Sequence, residues 1–241
     1  MTKTALITGV SREAGLGFAV ARRFAELDFH VILAARDLAA AEPLAERLRE
    51  DGYAATALRL DLADQASMDE AGSYVTQTFG HLDALVNNAS GMPDYRVLSA
   101  LDADMDVVRS ALEVSVIGPW ALTQALLPLL TAAPAARIVN VSSLAAQQVA
   151  VGLDLGEPMR SPAYAMAKYL LNALTGVLGR ALKDTPILVN AVDPGNTATH
   201  PERVDETDRP AVDSANDIVW AATLGADGPT GQLFVDRKPV L

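Results

Sequence analysis

Leu6-Ile7-Thr8-Gly9-Val10-Ser11-Arg12-Glu13-Ala14-Gly15-Leu16-Gly17 decides the fold: an apolar run, three glycines, then the helical pattern Phe18-Ala19-Val20-Ala21-Arg22-Arg23-Phe24. Glycine lets the backbone turn tightly and approach a pyrophosphate, whose charge then rests on free N–H groups at a helix N-terminus. A plain loop also uses glycines for turning. The place of these three, between a first strand and a first helix, favours a dinucleotide-phosphate turn built from Gly9, Ser11, Arg12, Gly15, Leu16 and Gly17.

Outward from this turn, apolar runs and amphipathic stretches alternate to the end of the chain. Strands are expected at about 4–8, 29–35, 53–60, 82–87, 136–142, 186–192 and 232–235, with helices at about 16–28, 38–51, 65–79, 102–130, 162–183 and 214–223. Such alternation calls for a seven-stranded, mostly parallel sheet with helices on both faces, an α/β fold. The strands are nearly continuous in Val, Ile, Leu and Ala, as when both sheet faces are buried. The 241 residues suit one large domain, 1–241, and no linker or internal repeat divides them. Three irregular stretches, 92–98, 144–161 and 194–212, follow strands at their carboxyl ends, where ligands of open α/β sheets bind. Within the first, Met92-Pro93-Asp94-Tyr95-Arg96 reads equally as a pocket wall or a surface loop.

Composition excludes several classes. A formal net charge of −11 argues against nucleic acid or an anionic membrane as partner, since phosphate selects for basic faces. No apolar run is read as reaching the roughly 18 residues of a membrane span. The start, Met1 to Gly9, reads as a strand and not as a signal peptide, so the expected location is the cytoplasm. Without cysteine there is no thiolate nucleophile, and His30, His81 and His200 have no ligand spacing, so no metal is expected.

Cofactor choice is written at the end of the second strand, Val31-Ile32-Leu33-Ala34-Ala35-Arg36-Asp37. An acid there would bind the ribose hydroxyls of NAD, whereas arginine accommodates the additional phosphate of NADP. Arg36 precedes the first acid and Arg12 projects from the glycine turn, which favours NADPH; a surface pairing of Arg36 with Asp37 would leave the choice open.

Ser161-Pro162-Ala163-Tyr164-Ala165-Met166-Ala167-Lys168 opens a helix, with Ser161 as N-cap and Pro162 as first helical residue. Tyr164 and Lys168, four apart, share one helix face. A phenol is a poor base at neutral pH, and a nearby ammonium aided by the positive helix end is expected to lower its pKa. Such a phenol can give a proton to a carbonyl oxygen as hydride arrives, with a serine hydroxyl bonding the same oxygen. A tyrosine and a lysine on a solvated helix face are also commonplace.

Taken together, these motifs resemble the short-chain dehydrogenase/reductase family across essentially the whole chain, which implies a single Rossmann-type doubly wound domain. Thr8-Gly9 to Gly15-Leu16-Gly17 resembles its cofactor turn. Asp61-Leu62 matches the pair that contacts adenine, and Asn87-Asn88-Ala89-Ser90 the family's Asn-Asn-Ala-Gly, placing Asn87 and Ala89 at the cofactor. Ser143, Tyr164 and Lys168 match the catalytic set. Asp193-Pro194-Gly195-Asn196-Thr197-Ala198-Thr199 matches the segment over the nicotinamide, which adds Pro194, Gly195, Thr197 and Thr199. Asp227 to Pro239, Ala35-Arg36-Asp37 and the 20 residues between Ser143 and Tyr164 resemble the NADPH-dependent carbonyl reductase branch.

Three departures stand out. Gly9 and Gly15 lie two residues further apart than usual, so the loop at Arg12-Glu13-Ala14 must bulge. Ser90 replaces a glycine. Ser115 replaces the asparagine that supports a water behind the lysine, a task serine performs with shorter reach.

The resemblance implies an NADPH-dependent oxidoreductase acting on a small carbonyl substrate, a ketone, aldehyde or quinone. Tyr164 would be the acid, Lys168 would orient the nicotinamide ribose, and Ser143 would hold the oxygen. The alternatives are a non-catalytic NADPH-binding sensor, suggested only by Ser115, and a reductase of a conjugated C=C bond. The helices at 102–130 and 162–183 are those the family uses to form dimers or tetramers, while the insertion before Tyr164 resembles monomeric members. Met105 and Trp120 read as core or subunit-interface residues.

Overall fold

A computed structural model describes residues 2–150, 160–199, 205–206 and 208–240. Expectations that fall on 151–159 and 200–204, which are parts of the stretches 144–161 and 194–212 and include His200, lie outside the described residues.

The first half winds β1 (Thr4–Thr8), α1 (Leu16–Ala25), β2 (His30–Ala35), α2 (Leu38–Glu50), β3 (Ala55–Arg59), α3 (Gln65–Thr78) and β4 (Ala84–Asn87). It continues through α4 (Met105–Leu112), α5 (Gly118–Ala132), β5 (Arg137–Val141), the short α6 (Gln147–Ala150), α7 (Pro162–Ala181) and β6 (Leu188–Asp193). The chain ends with β7 (Thr197–Ala198), β8 (Arg209–Pro210), α8 (Ala211–Ala222), β9 (Leu233–Val235) and β10 (Lys238–Pro239). The main sheet runs β10-β9-β6-β5-β4-β1-β2-β3, parallel except for β10. Strand order reverses between β1 and β4, the switch point at which open α/β sheets bind ligands.

Successive side chains of a strand point to opposite faces. Ala5 and Ile7 of β1 accordingly join Val31 and Leu33 under α1, α2 and α8. Leu6 joins Ile32 and Ala34 under α3, α5 and α7. Both faces are covered, which explains the unbroken apolar strands.

The sheet has eight strands, not the expected seven. The eighth, β10, is a two-residue antiparallel addition joined to β9 through Asp236 and Arg237, both left-handed at φ 47° and 61°. Two consecutive positive φ values make the tight hairpin turn usually signalled by Asn-Gly, and Asp-Arg carries no such signal.

The single helix expected over 102–130 is a 3-10 turn (Ala100–Asp102), α4, a π-helical turn (Glu113–Ile117) and α5. Pro119 supplies the reason. It has no N–H to give the carbonyl of Ser115, so the helix widens ahead of it, and the Gly118 N–H reaches Glu113 O instead. The helical run Met105–Ala132 is long and apolar enough by length and composition to cross a membrane, contrary to the reading of the sequence. Its Leu122, Leu126, Leu129 and Leu130 are spent in the core against the sheet.

Gly118 is also where this helix meets the end of β3. A Cβ there would lie 2.6 Å from both Cβ and O of Leu62. Gly118→Ala should therefore force the helix off Leu62 at about 1–3 kcal/mol. Differential scanning calorimetry should show Tm falling by about 3–10 °C; an unchanged Tm would mean the contact yields freely.

Candidate active site

The glycine turn is built against the end of β4. Gly9 has φ +74°, and a Cβ on it would stand 2.6 Å from Ala89 Cα. Thr8 locks the two together. Its Oγ1 accepts from the N–H groups of Asn88 and Ala89 at 3.0 Å each, while Asn88 Nδ2 donates to Thr8 O at 2.8 Å. A Cβ on Gly17 would lie 2.7 Å from that amide nitrogen and would displace it from Thr8 O.

Gly15 sits at the N-cap of α1 with no side chain to offer, which leaves the N–H groups of the first turn, at Leu16 and Gly17, directed at whatever lies before the helix. The two additional residues are absorbed as expected by a bulge. Gly15 N–H closes on Arg12 O at 3.1 Å, and Glu13 is drawn to Arg47 of α2 at 2.6 Å. Ser11 and Arg12 are exposed on this bulge.

At the neighbouring corner Asp37 is occupied, its carboxylate accepting from Ala39 N–H at 2.9 Å as the cap of α2. Arg36 is exposed and takes no carboxylate partner among the described residues, so the surface pair with Asp37 does not form. Asp61 bonds Ala63 N–H at 3.0 Å, and Leu62 is buried against Gly118. Asn87 donates to Asn140 Oδ1 at 2.8 Å, while its own Oδ1 is buried without a partner among the described residues. A dinucleotide fits this cradle: glycines occupy the places a Cβ would fill, backbone donors are open at α1, and a cation stands free where a phosphate would lie.

Ser143 follows β5 in extended conformation and is hydrogen-bonded to Tyr164 on the first turn of α7. Lys168, one turn on, is buried and donates to Val141 O at 2.6 Å. Its ammonium lies 5.6 Å from the centre of the Tyr164 ring. The expectation that Lys168 lowers the phenol's pKa is not met. Burial pushes it above the ordinary value, the bond with Ser143 opposes this, and the Asp193 carboxylate adds to the rise. Burial acts on Lys168 in the same sense, against its charged form, and lowers its pKa to about 8 while Asp193 pulls it back up. Asp193 is itself raised, by burial first, and its Oδ2 has no partner among the described residues.

Ser115 lies in the π-helical turn, buried, with Oγ 3.3 Å from Ser90 Oγ. The two serines that depart from the family pattern therefore meet each other. At the end of β6, Gly195 takes φ +71° and its N–H bonds Asp193 Oδ1 at 2.9 Å. Thr197 bonds Gly195 O at 3.1 Å and Ser214 at 2.9 Å, Ser214 holds Pro194 O at 2.8 Å, and Thr199 N–H turns back to Thr197 O. The far parts of the loops 144–161 and 194–212 lie outside the described residues.

Ser161 occupies the N-cap position of α7 but makes no side-chain cap bond. The cap comes from Asp94, which the sequence left undecided between wall and surface. Asp193 and Arg209 were likewise not singled out. Arg209 donates to Pro194 O at 3.2 Å and pairs with Asp217 at 2.8 Å. Asn140 could have been noticed as a polar residue inside an otherwise apolar strand.

A family model described as short chain dehydrogenase matches residues 3–209. The oxidoreductase UcpA of Salmonella typhimurium is 35% identical over 200 residues, 82% of this chain and 70% of its own length. Among solved structures, a short chain dehydrogenase from Salmonella enterica serovar Typhi superposes with a TM-score of 0.84 at 23% identity, over 97% of this chain and 95% of that one. A metagenomic short-chain oxidoreductase in complex with NADP superposes at 0.77 and 24% identity, over 95% and 94%. At those identities the two structures speak for the fold.

The buried lysine makes a prediction about pH. Its pKa is about 8 in the fold against an ordinary 10.5, so between these values the unfolded chain holds a proton the folded chain has shed, and stability rises with pH. Below pH 8 the cost of burying the ammonium is fully present. Lys168→Met removes this dependence, so the stability difference between variant and parent should shift by about 2 kcal/mol in the parent's favour from pH 7 to pH 9.5. Urea unfolding at both pH values checks it; a constant difference would mean the ammonium is solvated.

Proposed function

The chain belongs to the short-chain dehydrogenase family, and on that premise we propose that it is an NADPH-dependent oxidoreductase reducing a carbonyl, in a ketone, aldehyde or quinone, to the alcohol, with Tyr164 as general acid. One observation carries the reading: the hydrogen-bonded pair Ser143–Tyr164, with buried Lys168 one turn on, lies at the same carboxyl end of the parallel strands as the glycine cradle. The complex of the metagenomic oxidoreductase with NADP and the unpaired Arg36 support the choice of cofactor. Gly9, Ser11, Arg12, Gly15, Leu16, Gly17, Asp61, Leu62, Asn87, Ala89, Pro194, Gly195, Thr197 and Thr199 would hold it.

When bound, the dinucleotide supplies the hydride. The protein's part is the proton. A phenol whose pKa is raised by burial is fully protonated at neutral pH, the state a general acid requires in the direction of reduction. Ser143 can donate to the same carbonyl oxygen and fix it beside the phenol. The Lys168 ammonium, 5.6 Å from the ring, would stabilise the phenolate left after transfer in a site where few other charges screen it. The Ser90–Ser115 pair would hold a proton-carrying water behind Lys168 in place of a carboxamide. One unit, 1–241, would serve cofactor and substrate alike in the cytoplasm. A homo-oligomer would use α5 and α7, where Trp120, Tyr169 and Val177 stay exposed. No observation among the described residues favours a binding-only protein or reduction of a C=C bond over this reading.

Tyr164→Phe tests the mechanism. It should lower kcat by about 100-fold or more in NADPH oxidation with a panel of carbonyls while NADPH still binds by fluorescence titration; parent-like turnover would end the proposal. Arg36→Ala tests the cofactor. Losing a charge-assisted contact should weaken NADPH binding about 10- to 100-fold and leave NADH unaffected; equal effects on both would show that Arg36 does not read the additional phosphate.

A further inference from the structure

The helix that carries Tyr164 and Lys168 begins in an unusual way. Ser161, at its N-cap position, is buried in left-handed conformation, φ 53° and ψ 60°, where an N-cap residue is normally extended. Its hydroxyl makes no cap bond, and Pro162 has no N–H. The cap is supplied from 69 residues earlier: Asp94 Oδ2 accepts from Ala163 N–H at 2.6 Å. Ser161 N–H donates to Val97 O at 2.9 Å, a second tie to the same loop.

That loop is folded around the acid. Val97 N–H closes on Asp94 O at 2.8 Å. Asp94 is 3% exposed, whereas its neighbours Met92, Pro93, Tyr95 and Arg96 are all exposed. The charged residue points in and the large side chains point out, the reverse of what stability alone selects. Its second oxygen, Oδ1, is buried with no partner among the described residues, a cost that neither the helix nor the loop requires. A left-handed serine and a half-satisfied buried carboxylate therefore meet within three residues of the proton donor. Local costs of this kind persist where surrounding structure over-determines them, and they gather at functional sites.

We propose that Asp94 is a positioning residue for Tyr164, a latch that fastens the pocket-side loop 91–99 to the first turn of α7 so that loop and phenol move as one body. This rests on the function proposed for the site and extends it: a carbonyl compound that seats against the loop also sets the phenol, so fit to the loop is read out as proton transfer. Displacing a reacting group by about 1 Å can cost about 100-fold in rate.

The test compares Asp94→Ala with Asp94→Asn in the full chain. The amide of asparagine keeps an oxygen that can accept from Ala163 N–H; alanine keeps none. Asp94→Ala should lower kcat about 10- to 100-fold with KM and the Kd for NADPH within about threefold of the parent, and Asp94→Asn should restore kcat to within about threefold. Hydrogen exchange read by mass spectrometry, without cofactor or substrate, should accelerate in both 91–99 and 161–168 for Asp94→Ala and stay parental for Asp94→Asn. Parent-like kcat and exchange in a folded Asp94→Ala protein would overturn the proposal, as would an Asp94→Asn protein as impaired as the alanine variant. Where Asp94→Ala does not fold, the asparagine variant decides alone, parental behaviour supporting the latch and loss of kcat or of protection overturning it. A parent protein that reduces no carbonyl would defeat the proposed function, and the exchange experiment would still decide the latch.

Discussion

The site depends on a run of buried side-chain hydrogen bonds across the strand ends at the switch point. Thr8 on β1 holds Asn88 and Ala89, Asn87 on β4 donates to Asn140 on β5 at 2.8 Å, and Asn140 donates to Thr175 on α7 at 2.8 Å. Parallel strands that splay apart at their carboxyl ends open a crevice and leave backbone groups without ladder partners. Polar side chains take over there, and in a low dielectric each bond is strong and each omission expensive. The result is a connected path from the glycine turn to the helix bearing Tyr164. The separation between the dinucleotide cradle and the proton donor is set by these bonds and by strand spacing, not by loops.

This division explains what the sequence revealed. The seven parallel strands and the glycine turn were legible because they rest on local signals, apolar runs and glycines at a strand-to-helix junction. The cluster of Ser143, Tyr164 and Lys168 was legible through Tyr164 and Lys168, which share a helix face by spacing alone, with Ser143 added by resemblance. What escaped depends on contacts between distant segments. The break at Glu113–Ile117 is a consequence of Pro119 meeting the carbonyl of Ser115, visible in principle, but the burial of Leu62 on Gly118 is not. The capping of α7 by Asp94 bridges 69 residues, and the local signal at Ser161 pointed to the wrong cap. The hairpin at Asp236-Arg237 uses positive φ values in residues that rarely advertise them.

The electrostatics escape the sequence for a related reason. Spacing says that Lys168 lies near Tyr164; it does not say that both are buried. Burial opposes the charged form of each, raising the phenol and lowering the ammonium, so two pKa values that are ordinarily close move apart. At neutral pH the phenol therefore keeps its proton, and the ammonium is the group nearer to losing one. Asp193 sharpens the balance: buried, with one oxygen unpartnered, it favours the protonated state of both neighbours.

The far edge of the sheet completes the enclosure by ionic means. Arg209 stands over Gly195, where a Cβ would come within 3.0 Å of its Cδ, and it shares Asp217 with Arg237 of the hairpin, each at 2.8 Å. A carboxylate this buried and paired twice loses more when one partner is removed than an exposed pair would. The eighth strand therefore has a purpose that its two residues conceal. By bringing Arg237 to Asp217 it fixes the acid that orients Arg209, and Arg209 in turn holds the carbonyl of Pro194 at the nicotinamide end of the proposed site. Two buried acids thus brace segments that follow the strands: Asp217, through Arg209, holds the turn at Pro194, and Asp94 holds the first turn of the helix that carries Tyr164.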